Sequence, residues 1–384
     1  MKKIFNIKSL CLSAALLLGL FFTACSEDEN NATAIQISGI TTINDLNTPI
    51  TEAKLGDFIA IHGTGLDIHN IDSIYVNESK VDMVEVYTEK DVLYMQVPLK
   101  LSLEPTDKVY IYNKLGRQDY PLKTIAPDLK LVRMFNEYTQ PGDTIMIYGD
   151  FFNLYEIDSV SAVVDFYGKT SNVIKSANNY LTARVPLDVD KNIKVKVKSL
   201  KYEIESTCPG RYYDNECMIV DFDNRVPSNM ANVVTDPKDK NRLSGNYLHI
   251  NEKSAWSSWW YIMEIGNTPL TDDMLDHSDQ YVIKCEFYTA NQFVDGKIKF
   301  FNYLFWEAAP MEWTPSDFVF QNFNRWETIT LPFKRNYSGT YPENMYYHSF
   351  NMRIEIDQSI ARNFAFDNIR VCKKGDKLQI IQDF

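Results

Sequence analysis

The sequence predicts an all-β chain: two small sandwiches in tandem, followed by a larger jelly roll. Three observations carry that expectation. A Gly-Asp turn feeding an alternating strand, Leu55-Gly56-Asp57-Phe58-Ile59-Ala60-Ile61-His62-Gly63, returns as Pro141-Gly142-Asp143-Thr144-Ile145-Met146-Ile147-Tyr148-Gly149. Alternating apolar runs recur along the chain, and none of its segments has a convincing helical period. All six tryptophans lie beyond residue 255, so the last third differs in chemistry from what precedes it.

The first residues are not part of any fold. Lys2, Lys3 and Lys8 precede an apolar run over 10–22 and then Thr23-Ala24-Cys25, the basic, apolar and small-residue order of a secretory signal over 1–24. The run is too short to span a bilayer. A cysteine directly after the small residue resembles a bacterial lipoprotein signal, and that resemblance implies acylation of Cys25. The acidic stretch Ser26-Glu27-Asp28-Glu29-Asn30-Asn31, part of a tether over 25–33, resembles the export signal of Bacteroidetes lipoproteins destined for the outer face of the outer membrane. An ordinary solvated tether is the alternative reading.

The chain carries a formal charge of −12, and loss of 1–24 removes three lysines and no acid. Such a surface repels phosphate backbones, which excludes nucleic acid as a partner. Lys194, Lys196 and Lys198 alternate with Val195 and Val197 and read as one exposed strand face.

The repeat defines the first two domains. Ile71-Asp72-Ser73 is answered by Ile157-Asp158-Ser159, and Gln96-Val97-Pro98 by Arg184-Val185-Pro186. Gly-Asp before Ile-x-Ile is a turn delivering a half-buried strand, and the glycine that closes the run permits a bend or bulge. This pair resembles tandem immunoglobulin-like IPT/TIG domains, over 34–126 and 127–206, a family that acts mostly as spacers. His62 and His69 lack metal-ligand partners. Gly63-Thr64-Gly65 lacks the lysine and the strand-to-helix context of a phosphate loop.

The turn-rich Thr207-Cys208-Pro209-Gly210 opens the last domain, 207–384. Strands are expected at 218–223, 247–250, 259–265, 281–288, 297–305, 327–333, 352–356 and 364–371, which reads as a two-sheet jelly roll. Cys285 shares a side with Ile283 and Phe287 and is expected as a buried thiol; whether Cys208 and Cys217 pair is open. The closing run Phe364-Ala365-Phe366-Asp367-Asn368-Ile369-Arg370-Val371 resembles the last strand of galactose-binding-like carbohydrate-binding modules. With the lipoprotein signal and the tandem repeat, the architecture resembles a surface glycan-binding protein of the B type from a Bacteroidetes polysaccharide-utilisation locus.

An indole either fills a core or lies flat beneath a ligand with an apolar face, such as a pyranose. Trp256, in the polar turn Lys253-Ser254-Ala255-Trp256-Ser257-Ser258, is the first candidate platform. Of the adjacent Trp259 and Trp260, one faces the core and one faces outward. Trp306 and Trp313 flank Ala308-Ala309-Pro310 and complete the candidate glycan-binding set. Trp326 precedes a Thr-Ile-Thr-Leu-Pro-Phe strand and reads as structural. Asn302, Glu307, Glu312 and Arg353 are candidate hydrogen-bonding groups. Asp221, Asp223 and Asp367 could bring oxygens to a structural Ca²⁺, but solvated carboxylates are the simpler reading, and no cofactor is expected.

The function expected is non-catalytic capture of a polysaccharide at the cell surface. A β-glucan, xyloglucan or mannan would suit such platforms. The alternatives are a surface glycoside hydrolase or lyase, for which no catalytic motif is present, and a protein-binding adhesin. The resemblance implies a monomer anchored in the outer membrane and facing outward, whose partners are a TonB-dependent importer and its SusD-like lipoprotein.

Overall fold

The computed structural model describes residues 32–228, 230–251, 260–266, 268–292, 297–301, 311–314, 322–334, 350–355 and 363–375. The fold is all-β, as expected, and the chain divides into two compact units at Pro127/Asp128.

In the first unit the strands Asp45–Pro49, Gln36–Thr42, Phe58–Thr64, Val92–Gln96 and Tyr87–Glu89 form one sheet in that spatial order. Gly116–Pro121, Lys108–Asn113, Ser73–Val76 and Ser79–Lys80 form the other. Ile40, Ile59, Ile61, Leu93 and Met95 from the first sheet pack against Ile74, Val76, Val109 and Ile111 from the second. Period-2 alternation put each of these on the inner face.

The second unit begins with a seven-stranded sheet. Its order is Lys130–Met134, Thr144–Asp150, Tyr180–Arg184, Lys169–Ser176, Ala162–Phe166, Val195–Ser199 and Ile204–Thr207. In Val195–Ser199 the valines are buried, and Lys196 and Lys198 are partly exposed on the other face. This is the alternation read from the sequence.

The two copies of the repeated segment are built alike. Gly56 and Gly142 both take positive φ, 89° and 88°. Their N–H groups donate to Val97 O and Val185 O, each at 2.9 Å, and those valines donate back to Asp57 O and Asp143 O. The two repeated motifs therefore hydrogen-bond to each other within each copy. Even the variable residue before the valine plays the same part in both, since Gln96 Nε2 donates to Gly56 O at 2.8 Å and Arg184 Nη1 to Gly142 O at 2.7 Å. The closing glycines are steric. A Cβ on Gly63 would lie 2.0 Å from Gln36 O, and one on Gly149 would lie 2.3 Å from Lys130 O. Beside each, the neighbouring strand shifts register, between Ile37 and Gly39 and between Leu131 and Arg133.

The C-terminal sandwich has one sheet of Val233–Val234, Tyr247–Asn251, Asn363–Lys373, Tyr281–Thr289 and Trp326–Pro332, with Met218–Val220 also on Asn363–Lys373. Its other sheet runs Trp260–Ile265, Phe350–Glu355, Lys297–Phe301 and Met311–Trp313. The strands start within two residues of the expected positions. Cys285 is buried between Ile283 and Phe287 in the core. Cys208 and Cys217 are both free and buried.

The second sandwich and the C-terminal sandwich meet through a buried polar seam. Thr328 N–H donates to Phe135 O at 2.8 Å, and Asn136 Nδ2 to Trp326 O at 3.2 Å. Glu137 accepts from Lys284 at 2.5 Å and from Arg370 at 2.7 Å; Arg370 also reaches Glu286 at 3.0 Å. Gly210 is required here, because a Cβ would sit 2.1 Å from Glu137 Oε1.

Candidate functional site

The candidate ligand surface is the outward face of the four-stranded sheet in the C-terminal sandwich. Phe350 and Met352 are fully buried in the core, so Asn351 and Arg353 between and beyond them belong to the opposite face. Register extends that face across the sheet. Arg353 aligns with Tyr261 on one side and Lys299 on the other, and Lys299 aligns with Glu312. Arg353 and Lys299, both partly exposed, put two cations side by side in this row. In the next row Asn351 lies between Glu264 and Phe301.

Asn351 is the most informative member. It is only 1% exposed, and among the described residues neither its amide nitrogen nor its amide oxygen has a hydrogen-bond partner. A buried amide stripped of water costs about 1–3 kcal/mol when unpaired.

Register also sorts the tryptophans. Trp260 aligns with Ile354, Ile354 with Ile298, and Ile298 with Trp313. Ile298 and Trp313 are both buried in the core. The expectation that Trp313 is a platform is corrected. It is 6% exposed and meets Phe287 edge-on at 5.1 Å and Phe366 at 6.4 Å. Its partner across the sheet, Ile298, is buried in the same core, so the strand Met311–Trp313 sets this ring on the inner face.

Trp256, Trp259, Trp306 and Cys25 lie outside the described residues, as do Asn302 and Glu307. The segment holding Trp256 and Trp259 leads into Trp260, and that holding Trp306 joins Phe301 to Met311. These attachment points are at opposite ends of the sheet, because Trp260 aligns with Ile354 and Phe301 with Asn351.

Trp326 is structural, as expected: it packs edge-on to Tyr247 at 5.5 Å, and its Nε1 donates to Asn241 O at 2.6 Å. Of the described side chains on this face, sequence reading named Arg353 but missed Lys299 and Asn351. The alternation Phe350-Asn351-Met352-Arg353 was the signal that would have found Asn351.

Of the three aspartates weighed above, Asp367 is buried, at 1% exposed, and Asp221 and Asp223 are engaged by nearby backbone. Asp221 accepts from the N–H groups of Asp223, Asn224 and Arg225 at 3.1, 2.8 and 2.7 Å. Burial works against its charge, but these bonds outweigh it and hold the carboxyl below its usual range. Asp223 accepts from Asn246 N–H at 2.9 Å. Among the described residues no group of three or more His, Cys, Asp or Glu side chains could hold a metal ion.

Residues 212–373 match the family model of the surface glycan-binding protein B xyloglucan binding domain. No curated protein matches the chain. Among solved structures, surface glycan-binding protein PbSGBP-B from Prevotella bryantii is 17% identical with a TM-score of 0.54, over 89% of this chain and 99% of that one. SGBP-B from a complex xyloglucan utilization locus in Bacteroides uniformis is 18% identical with a TM-score of 0.49, over 89% and 100%. The Bacteroides ovatus mixed-linkage glucan utilization locus SGBP-B, in complex with mixed-linkage heptasaccharide, is 12% identical with a TM-score of 0.28, over 84% and 72%.

The all-β architecture and the matched C-terminal domain define a non-catalytic glycan-binding protein of the cell surface. Residues 212–373 are thus similar to the glycan-binding domain of surface glycan-binding protein B.

Proposed function

We propose that this chain captures xyloglucan, or a closely related β-linked glucan, for delivery to an importer. The observation that carries the reading is the match of 212–373 to a domain described as xyloglucan-binding. The polar residues on the outward sheet face support it, since Arg353 and Lys299, both partly exposed, suit the hydroxyl edge of a sugar. Trp256, Trp259 and Trp306 supply the stacking faces. Each stacked ring contributes about 1 kcal/mol, so a few rings with edge hydrogen bonds give affinities between about 10 µM and 1 mM. Many copies on one membrane then hold one polymer far more tightly.

Cys25 carries the lipid anchor in the outer membrane, and the first two sandwiches, over 34–126 and 127–206, act as spacers of the IPT/TIG type. The partners are a TonB-dependent importer and its SusD-like lipoprotein.

The test is native affinity electrophoresis against xyloglucan, mixed-linkage β-glucan and galactomannan. It uses the intact chain and its Trp256→Ala, Trp259→Ala and Trp306→Ala variants. Retardation by xyloglucan should disappear in the variants while the melting temperature holds. An unchanged shift in all three variants, or no shift for the parent chain, rejects the proposal. Cys25→Ala should move the protein from the membrane fraction to the soluble one.

A further inference from the structure

A second patch with the chemistry of sugar recognition lies on the outer face of the second sandwich, where it meets the C-terminal domain. Tyr148 and Tyr180 are cross-strand neighbours, and Arg133 aligns with Tyr148 from the other side. Both tyrosine rings are half-buried, and they share the face opposite the core residues Ile147 and Leu181. The Arg133 guanidinium carbon stands 4.8 Å from the Tyr148 ring centre and 5.8 Å from that of Phe135. Arg325, from the C-terminal domain, stands 5.1 Å from the same Phe135 ring. Lys175 lies 5.9 Å from the Tyr180 ring centre at the far end of the row.

The charges do not balance. Arg133 pairs with Glu327 at 2.7 Å through one nitrogen, and its Nη1 is buried with no partner among the described residues. Exposed Arg325 makes its contact with Phe135 through its cationic plane, and among the described residues it has neither an ion pair nor a hydrogen bond. The charges that bear on Tyr148 are Arg133, Glu327 and Arg325, so two cations face one acid in a chain of net charge −12. Asp150, two residues along the same strand, is within 3.7 Å of Lys130.

We propose that this seam is a second sugar site, selective for a carboxylate-bearing residue of an acidic polysaccharide. A hexuronate offers both parts of the match: a carboxylate for the exposed Arg325 guanidinium, which forms charge-assisted, forked hydrogen bonds, and a ring face for the tyrosines. Size favours one or two sugars over a protein. Neighbouring strands are about 4.8 Å apart, so three adjacent side chains make a patch about 10 Å wide, whereas a stable protein interface buries about 800 Å² per partner. Continuity with the C-terminal domain through Arg325 lets one branched polymer reach both surfaces. That last point alone rests on the function proposed above.

The experiment titrates the full-length chain with three probes: a tetragalacturonate, its methyl ester and a neutral xyloglucan heptasaccharide. Tetragalacturonate should bind, and its affinity should fall when salt is raised from about 0.02 to about 0.3 M. The ester should bind about tenfold more weakly, as should tetragalacturonate to Arg325→Gln, because each removes a charge-assisted bond. Arg325→Lys should fall between them. Xyloglucan binding should be untouched by Arg325→Gln and lost in Trp306→Ala, which should still bind tetragalacturonate. The proposal is overturned if tetragalacturonate does not bind, if its ester binds equally well, or if Arg325→Gln changes nothing or weakens both sugars alike. Failure of xyloglucan alone would count against the function proposed above and leave this site standing.

Discussion

Arg370, on the last strand of the C-terminal sandwich, donates to Glu137 of the preceding sandwich at 2.7 Å, and the two side chains are 0% and 5% exposed. The glutamate also takes the Lys284 ammonium, and Arg370 lies 4.9 Å from the Tyr138 ring centre. Separating the two sandwiches would leave these buried charges unpaired.

Glu137→Gln should therefore cost more than a surface charge change. It strands Lys284 and Arg370 with a neutral partner, and breaking a buried pair costs about 3–5 kcal/mol. Thermal unfolding should show the loss in the transition of the second unit. A melting temperature within a degree of the parent's would show that the seam contributes little.

Glu286 sets a pH dependence of opposite sign to the usual carboxylate. Burial pushes its carboxyl up to about 7, with the Arg370 guanidinium only partly offsetting this. A folded-state value above the unfolded one favours the protonated form, so this group's contribution is fully present at low pH and is lost as pH rises through about 7. Glu286→Gln keeps the neutral form at all pH values. Its melting temperature should gain on the parent's between pH 5 and pH 8, and a constant gap would refute the assignment.

Gly149→Ala tests the repeat. The added methyl would approach Lys130 O to 2.3 Å and the Phe152 ring to 2.6 Å, and neither a strand carbonyl nor a fully buried ring can withdraw cheaply. Overpacking of this kind costs about 1–3 kcal/mol. The equivalent Gly63→Ala, 2.0 Å from Gln36 O, should behave in the same way. Denaturant midpoints would report both, and a neutral substitution at either site would contradict the steric role.

Trp313→Ala should separate core from platform. Removing a buried tryptophan costs about 3–5 kcal/mol, so the melting temperature should fall well below that of Trp306→Ala. If Trp313→Ala melts like the parent chain, its inward placement is wrong.

Strand alternation decided much of what is seen here. Ile59 and Ile61, Val195 and Val197, and Ile283, Cys285 and Phe287 all face inward as their period-2 spacing requires, because a strand offers only two faces. The repeat could be read because local geometry writes itself into sequence: a left-handed turn at Gly56 and Gly142, and a close approach at Gly63 and Gly149. Local pattern could not tell which outward face meets water. Lys284 and Glu286 alternate with core residues and so read as a solvated face, yet they are 2% and 0% exposed beneath the second sandwich. Trp313 looked like a loop platform until its strand partners fixed its direction. Alternation is a property of a few consecutive residues, whereas burial of the second face depends on surfaces brought together from 147 and 233 residues away, at Lys284 and Arg370 from Glu137. The sequence alone thus determined the strands, the repeat and the class of ligand domain; only tertiary packing decided which side chains the second face withdrew from solvent.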